Sequence, residues 1–497
     1  MLTLIIFLPV VVAIALLVAP RLAAVAANTV WVAAAGVEAA LTIVVAVVDR
    51  PGRDGLRWEE RVTWMPTVGT SYHVGVDGLS IPLLLLTAVV FLACAVWAFR
   101  NTDRPRQQAA LFLFLQTTCV GTFAAQDLLL FFVFFDLSIV GMYFVIAGWG
   151  HGDNRRSALR FFLVTFLGSL ALLVGFIGVS LGGAHHTFDI PDLIRRGSFA
   201  HDPVVAGAVL AAIIVGFAVK TPTLPFHSWL PPAHTDAPTI GSVVLAGVLL
   251  KLGTYGFVRI AMPLLPDAWR SFAWVLVIVG IVSVLWGALV AMAQRDVKRL
   301  IAYTSINHMG YVVLALGAAG LVGGADATAR TVAITGATVQ MVSHGLITSA
   351  LFLLVGVLRD RRGTSDIDRF GGLATPAPRY SALFAVAAFA SLGIPGFSGF
   401  VAEFQIFTGA IAGTAVAAIA LLGILITAAL FLRTVQRLLT GSTPEPVREF
   451  TDLGARQTAV VGTLMVLSLA LGIVPGPVLS LVQPAASSIA ALIGAAS

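Results

Sequence analysis

Six ionisable side chains lie inside long apolar stretches of this sequence, where they could carry protons through a membrane. They are Asp136, Lys220, Lys251, His308, His344 and Glu403. A charged residue at mid-membrane costs about 3 kcal/mol on insertion scales, so it needs a partner, a wet cavity or a function. A buried ion pair that fixes helix packing would explain Asp136 and one lysine equally well. Four charged residues on four different helices are more than one such pair explains, and they favour a conducting role.

His308 and His344 lie on consecutive apolar stretches, beside hydroxyl or amide side chains in AYTSINHMGYV and VQMVSHGLITS. A single histidine on an apolar helix is usually a hydrogen-bonded packing residue. Imidazole titrates nearest to physiological pH, and this pair lies between Lys251 and Glu403 in chain order. Packing and relay roles both remain open, and the pairing favours the relay.

An opposite charge close to a buried lysine favours its protonated form. We therefore expect Asp136 near Lys220, and we expect separation of this pair to release a proton towards Lys251 and finally Glu403. The sequence contains no phosphate-binding loop, dinucleotide fingerprint, haem motif or cysteine ligand set. Ser, His and Asp residues between 227 and 236 give only weak support for a hydrolase. The energy for transport must come from a partner.

Proline and glycine interrupt two apolar stretches beside charged residues. Pro222 and Pro225 follow Lys220, whereas Pro395 and Gly396 precede Glu403. Proline cannot continue the hydrogen bonding of a helix interior. Unwound backbone at membrane depth is tolerated only where it is buried in protein or lines a water-filled cavity. Two such breaks, five spans apart, are expected of a transporter built on internal repeats.

The composition indicates that lipid is the solvent for most of the chain. Of 497 residues, 58% are hydrophobic and 11% are charged, whereas soluble domains have about 25% charged residues. The mean hydropathy is +0.97. Cys94 and Cys119 lie in apolar runs, which predicts neither a disulfide framework nor a metal site. The chain is therefore predicted to be a polytopic helical membrane protein.

Apolar windows predict fourteen membrane spans. Their approximate ranges are 2–19, 27–48, 78–99, 107–125, 127–149, 158–182, 203–222 continuing to 230, 238–261, 271–293, 299–321, 328–357, 380–407, 410–435 and 457–483. Of the 30 Lys and Arg residues, 19 lie after odd-numbered spans, nine lie on the other side and two lie within spans. The positive-inside rule then places both termini outside the cytoplasm.

These segments resemble the proton-translocating, antiporter-like subunits of respiratory complex I and the related Mrp-type cation/proton antiporters. The resemblance runs from span 5 to span 12, through FFVFFDLSIVGMYFVIAGWG, the block KTP…LP…LP…AH and SLGIPGFSGFVAEFQIF. It implies an all-α polytopic fold with about 14 transmembrane helices, two inverted five-helix repeats and broken helices 7 and 12. The implied domains are helices 1–3 (1–105), two repeats (106–262 and 263–440) and a C-terminal helix 14 (441–497).

The resemblance also implies a place in a larger assembly. The chain would be a non-redox subunit of a proton-translocating NADH:quinone oxidoreductase in a bacterial cytoplasmic membrane. It would contact antiporter-like subunits L and N and the lateral helix of L, and it would bind no nucleic acid. FMN, iron–sulfur clusters and quinone would belong to other subunits. A Mrp-type Na⁺/H⁺ antiporter subunit and a structural spacer with a vestigial polar line are the alternatives.

Three features refine the resemblance. The family acid on helix 5 is typically glutamate, whereas this chain has Asp136. Glu403 stands where several branches of the family have lysine. The chain ends soon after span 14, so we expect no long lateral helix. Proton uptake is expected near broken helix 7 on the cytoplasmic side, and release is expected near Glu403.

Overall fold

The computed structural model describes residues 1–19, 22–48, 55–183, 186–197, 199, 202–323 and 326–495. Within this part of the chain, fourteen helical spans confirm the predicted number. They are Leu2–Val18, Ala24–Val48, Ser80–Arg100, Pro105–Ala124, Leu128–Trp149, Asn154–Leu181, Pro203–Lys220 with Phe226–Trp229 and Leu230–Asp236, Thr239–Leu264, Pro266–Met292, Val297–Leu321, Ala327–Arg362, Pro378–Ser391 with Ser398–Gly413, Ala415–Leu439 and Ala455–Ile473. Arg21, one of the basic residues used for orientation, lies outside the described residues.

Length and composition alone identify twelve helices that could cross a membrane. Spans 1, 4 and 12 are not among them, for different reasons. Span 1 has 17 residues, span 4 carries several glutamines and threonines, and span 12 is divided into two short helices. The twelve instead include a further helix after span 14. The polytopic membrane architecture is confirmed.

The two predicted helix breaks are present. The first helix of span 7 ends at Lys220, and a 3-10 turn and a short helix follow from Phe226 to Asp236. Span 12 is interrupted between Ser391 and Ser398. Spans 4–8 and 9–13 form the two five-helix repeats, and the broken span is the fourth of each. The breaks therefore occupy matching positions in the two halves.

Span 8 contains two π-helical turns that the sequence analysis did not predict. They cover Leu245–Leu249 and Phe257–Ala261, on either side of an α-helical segment. That segment packs closely against span 7, because a Cβ at Gly256 would lie 2.2 Å from the Phe217 ring. A π-turn disturbs the regular backbone hydrogen bonds and is common at functional sites. The two turns flank the stretch that carries Lys251.

The segment between spans 2 and 3 forms an antiparallel hairpin, which the all-α prediction missed. Strand β1 (Arg57–Met65) pairs with strand β2 (Thr70–Val76). The Met1 ammonium bonds to Glu60 of β1, so the hairpin and the N-terminus share one face of the protein. We call this end of the spans the N-terminal face. A two-stranded hairpin is marginal alone and depends on such packing.

The prediction that span 14 continues to residue 483 was wrong. Span 14 ends at Ile473, and a separate C-terminal helix covers Gly476–Ala495. Pro475 separates the two helices because it cannot continue the hydrogen bonds of the first. Leu481 contacts Gly78 before span 3, and Gly494 contacts Arg330 at the start of span 11. Both contacts lie at the N-terminal face, so the C-terminal helix runs along that face.

Candidate functional site

Lys220 is buried where the first helix of span 7 ends. Its Nζ donates a hydrogen bond to Ser138 Oγ at 3.1 Å and lies 5.0 Å from the centre of the Phe135 ring. Only 1% of the lysine is exposed. A cation is favoured at a helix C-terminus, where unpaired carbonyl groups carry partial negative charge. The break after Lys220 therefore creates a suitable place for an ammonium group.

Asp136 lies near this lysine but is held by another helix. Its Oδ1 accepts a hydrogen bond from Ser169 Oγ of span 6 at 2.7 Å. Among the ion pairs of the described residues, none within 4.0 Å joins Asp136 to Lys220. Asp136 and Ser138 are two positions apart on span 5, so they point in different directions. The structure thus separates the expected pair and links each member to a serine.

Lys251 lies in the middle of span 8 and is 0% exposed. Its Nζ contacts His344 Nδ1 at 2.7 Å and donates a hydrogen bond to the carbonyl of Ala246. Ala246 belongs to the first π-turn, five positions before the lysine. His344 belongs to span 11. The contact therefore joins the last span of the first repeat to the second repeat.

The two predicted histidines lie together. The ring centroids of His308 and His344 are 5.4 Å apart, with the ring planes nearly perpendicular. Both side chains line a cavity of ≈ 10 Å³, which Glu403 also borders. A single water needs about 10–15 Å³ of such space. The cavity is therefore about the size of one water molecule, which could join the histidines to the carboxylate.

Glu403 follows the break in span 12 and is 7% exposed. A Cβ at Gly393 would lie 2.2 Å from Glu403 Oε2, so the missing side chain makes room for the carboxylate. Gly393 has φ +70°, a conformation that glycine adopts without strain. Glu403 also borders an apolar cleft of ≈ 470 Å³ beside Phe400 and Phe404. The broken helix thus brings an acid between an internal cavity and the surface of the bundle.

The structure arranges the six predicted residues in two groups. Lys251, His344, His308 and Glu403 form a continuous set, through direct contacts and the small cavity. Asp136 and Lys220 form the other group, linked through span 5. A Cβ at Gly253 would lie 2.5 Å from Thr221 Oγ1. The end of the first helix of span 7 therefore packs against the segment of span 8 that carries Lys251. The two groups are therefore adjacent.

The sequence analysis missed several buried polar groups. Glu38 of span 2 is 0% exposed and accepts a hydrogen bond from Gln116 Nε2 of span 4 at 2.7 Å. Lys298, which was assigned to a loop, is 2% exposed and donates to the carbonyl of Ala237 at 2.5 Å. Nearby, His234 stacks on Phe352 with centroids 4.6 Å apart. Glu38 in VEAALT was visible as a charge inside an apolar run, whereas the burial of Lys298 depends on the fold.

A separate charged cluster lies on the N-terminal face. His73 of β2 contacts Asp189 at 2.6 Å through Nδ1 and Glu59 at 2.8 Å through Nε2. Burial lowers the pKa of His73, but the hydrogen bonds and charges of these carboxylates outweigh burial and raise it above its ordinary value. Burial raises the pKa of Asp189, but its bonds from His73 and Asp192 and the charges of His73 and Arg61 outweigh this and lower it. The cluster ties the hairpin to the segment before span 7.

Within the described part of the chain, no three His, Cys, Asp or Glu residues are placed to hold a metal ion. Cys94 and Cys119 are buried and free. The chemistry that this arrangement can perform is proton binding and transfer. Its groups are amines, imidazoles and carboxylates separated by hydroxyl groups and by space for water.

The fold and the site define a polytopic membrane protein with antiporter-like architecture. Residues 125–431 match the family model described as NADH:quinone oxidoreductase/Mrp antiporter, TM. NADH-quinone oxidoreductase subunit M of Rickettsia prowazekii is 38% identical over 426 residues, which cover 85% of this chain and 84% of the relative. The chain therefore belongs to the NADH:quinone oxidoreductase/Mrp antiporter membrane family.

Two further comparisons agree with this assignment. F(420)H(2) dehydrogenase subunit M of Methanosarcina mazei is 37% identical and aligns with 86% of this chain and 85% of its own. Among solved structures, a chain of respiratory complex I from Thermus thermophilus with bound NADH superposes with a TM-score of 0.89. That match has 29% sequence identity and covers 99% of this chain and 100% of the other. The similarity extends over both repeats and the flanking helices.

Proposed function

We propose that this chain is subunit M of a NADH:quinone oxidoreductase and that it moves protons across a bacterial cytoplasmic membrane. The contact of 2.7 Å between Lys251 Nζ and His344 Nδ1 carries the proposal, because it joins titratable groups of the two repeats in a fully buried place. The names of the relatives support the particular subunit. A structural role would not require an amine, two imidazoles and an acid in sequence.

Protons would enter from the face opposite the N-terminal face and pass along the six residues. The break in span 7, with buried His234 and Lys298, supports uptake there. Lys220 would receive the proton and pass it to Lys251, and His344 and His308 would deliver it to Glu403. Asp136 would favour the charged form of Lys220 whenever the two approach. Both termini would lie outside the cytoplasm, as the distribution of basic residues predicts.

The redox reaction would occur in other subunits, which would hold FMN, iron–sulfur clusters and quinone. The similar subunit of an F(420)H(2) dehydrogenase fits this division, because its complex is named for another electron donor. This chain would contribute translocation without electron transfer of its own. Antiporter-like subunits L and N, and the lateral helix of L, would be its membrane partners.

The test is NADH-driven proton pumping, measured together with NADH:quinone turnover in membrane vesicles that carry Lys220→Ala. The expected result is loss of both activities in a fully assembled complex, because a tightly coupled pathway stops the redox reaction. Glu38→Gln is the matched control, since it alters a buried carboxyl group of span 2 that bonds to Gln116 and Thr42 and to none of the six residues. Normal pumping and turnover by Lys220→Ala would contradict the relay and favour a structural spacer.

A Mrp-type Na⁺/H⁺ antiporter subunit is the second candidate, because the matching family model covers both classes. It predicts sodium-dependent transport and purification without redox subunits. Proton pumping that requires NADH and is unaffected by sodium would exclude it. The same vesicles can be used for both measurements.

A further inference from the structure

A charged hollow opens on the N-terminal face beside the C-terminal end of span 8. Its volume is ≈ 470 Å³, and its lining includes Glu59, Arg61, His73, Asp77 and Arg259. Glu59 and Arg61 are half-exposed, whereas Asp77 and Arg259 have side chains only 12% and 10% exposed. Exposed charges thus surround the opening and a buried ion pair lies deeper. We call this hollow the vestibule.

The floor of the vestibule belongs to the helix that carries Lys251. Arg259 forms an ion pair with Asp77, and its Nε donates to Tyr255 Oη at 3.0 Å. Tyr255 Oη in turn donates to the carbonyl of Phe123 in span 4 at 2.9 Å. Arg259 lies eight positions after Lys251, which is about 12 Å along a helix. Asp77, Arg259 and Tyr255 therefore lie between the vestibule and Lys251.

Two observations distinguish this arrangement from an ordinary structural ion pair. Arg259 lies inside the second π-turn, Phe257–Ala261, which interrupts the regular helix at the floor. The ion pair also borders a space large enough for several waters, since one water occupies about 30 Å³ of liquid. Lys251 bonds to Ala246 and His344, so its ammonium faces away from the vestibule. Arg259 and, one turn further along the helix, Tyr255 thus separate the vestibule from the buried lysine along span 8.

We propose that the Asp77–Arg259 ion pair, with Tyr255, is a gate between the vestibule and Lys251. When the pair opens, water from the N-terminal face reaches the depth of Lys251. The lysine can then give a proton to that water, breaking an N–H bond and forming an O–H bond. This gives the first repeat its own connection to the N-terminal face, separate from Glu403. The inference rests on the proposed function only for the direction in which protons use the gate.

The test measures water access and does not depend on pumping. Cys94 and Cys119 are first replaced by alanine, and Leu252→Cys then places a thiol beside Lys251 and one turn below Tyr255. Leu252 is 0% exposed. A membrane-impermeant methanethiosulfonate reagent is applied to the N-terminal face of vesicles that contain the assembled complex. Leu250→Cys is the matched control, because it lies on the same helix but two residues away, on another face.

Asp77→Asn removes the ion pair that closes the gate, so it is expected to speed labelling of Leu252→Cys about tenfold or more. A tenfold change in rate requires only a modest change in the barrier. Asparagine can still accept the backbone hydrogen bonds at the start of span 3, so the fold should remain. Arg259→Gln opens the gate from the other side and should give the same result. Asp77→Glu keeps the charge and should keep labelling slow, and Leu250→Cys should stay slow throughout.

Unchanged labelling of Leu252→Cys in an assembled Asp77→Asn or Arg259→Gln complex would overturn the gate. Equal acceleration at Leu250→Cys would also overturn it, because it would indicate general loosening of span 8. Pumping by Lys220→Ala tests the proposed function by itself. A normal pumping result there, with accelerated labelling here, would retain the gate as a water path and reject its use by protons.

Discussion

Lys251 Nζ and His344 Nδ1 lie 2.7 Å apart, although the two residues are 93 positions apart in the chain. Because Nδ1 faces the lysine, the other ring nitrogen, Nε2, points elsewhere, and it has no hydrogen-bond partner among the residues that the structure describes. His308 and the small cavity lie beside this ring. An imidazole placed in this way can accept a proton on one nitrogen and release it from the other.

His344→Asn is expected to slow proton translocation about a hundredfold, the lower end of what positioned proton-transfer groups contribute. Asparagine keeps an acceptor for Lys251 but cannot carry a proton across a ring. The measurement is protons pumped per second, with assembly checked. His186→Asn, on the N-terminal face, is the control. Near-normal pumping by His344→Asn would show that the histidine only packs and accepts a hydrogen bond.

Ser138 anchors Lys220, so Ser138→Ala should weaken the protonated form of the lysine. A hydrogen bond to a charged group contributes about 1.5–3 kcal/mol. We expect pumping to fall about tenfold or more, because each tenfold in rate corresponds to about 1.4 kcal/mol, and we expect Ser138→Thr to restore it. Ser180→Ala, a buried serine at the end of span 6, serves as control. A Ser138→Ala complex that pumps normally would mean that the Phe135 ring and the helix end suffice to hold the ammonium.

Asp136 is bonded to Ser169 and not to Lys220, so lengthening its side chain and removing its charge should have different effects on pumping. Asp136→Glu adds one methylene and should bring a carboxylate closer to Lys220, so pumping is expected to be retained. Asp136→Asn keeps the hydrogen bond from Ser169 but removes the charge, and pumping should fall about tenfold or more. Pumping assays on the two variants separate the effect of side-chain length at position 136 from the effect of its charge. Equal activity of Asp136→Asn and the unaltered protein would remove Asp136 from the switch.

Much of the fold was predictable because lipid demands long apolar helices. The six residues were visible as charges or imidazoles within such runs, and Pro222 and Pro395 marked the breaks. A run that is apolar on all sides has no periodicity to reveal a π-turn. The π-turns of span 8 depend on close packing, such as that of Gly256 on Phe217. The hairpin was missed because its charged residues were taken for a loop.

The partners of the predicted residues could not be read from the sequence. Serines are frequent in these helices, and only packing decides that Ser138 faces Lys220 and Ser169 faces Asp136. The Asp77–Arg259 pair joins positions 182 residues apart. Arg259 was counted among the basic residues at the ends of spans, although it lies buried within span 8. Contacts over such separations require the fold itself.

The His73 cluster makes the hairpin sensitive to pH. The pKa of His73 is raised in the folded protein, so its contribution to stability is complete below the ordinary value of about 6.5 and is lost as pH rises through the raised pKa. The lowered pKa of Asp189 acts in the opposite direction, and its contribution is lost only in acid, below about pH 4. The hairpin should therefore be held most firmly between these limits.

Hydrogen exchange of the β2 amides, corrected for intrinsic rates, is the measurement. Protection is expected to be highest from about pH 5 to 6.5 and to decrease at higher pH. His73→Gln keeps hydrogen-bonding capacity without the titration, so its protection should change little over the same range. An identical pH dependence in the variant and the unaltered protein would assign the effect to other groups on this face.

Gly393 and Gly396 offer a matched pair for testing the position of Glu403. Both have positive φ, +70° and +103°, so alanine at either position meets backbone strain of about 1 kcal/mol or more. A Cβ at Gly393 would also collide with Glu403 Oε2, whereas a Cβ at Gly396 would meet no atom within 4 Å. Both variants therefore carry backbone strain, but only alanine at position 393 displaces the carboxylate of Glu403.

Gly393→Ala is therefore expected to reduce pumping about tenfold or more relative to Gly396→Ala, because a proton acceptor moved by about 1 Å loses its transfer geometry. Glu403→Gln sets the lower limit, since it removes the acceptor. Pumping and turnover in assembled complexes compare the three variants. Similar pumping by Gly393→Ala and Gly396→Ala would mean that Glu403 works from several positions, and the break in span 12 would then serve access for water more than placement of the acid.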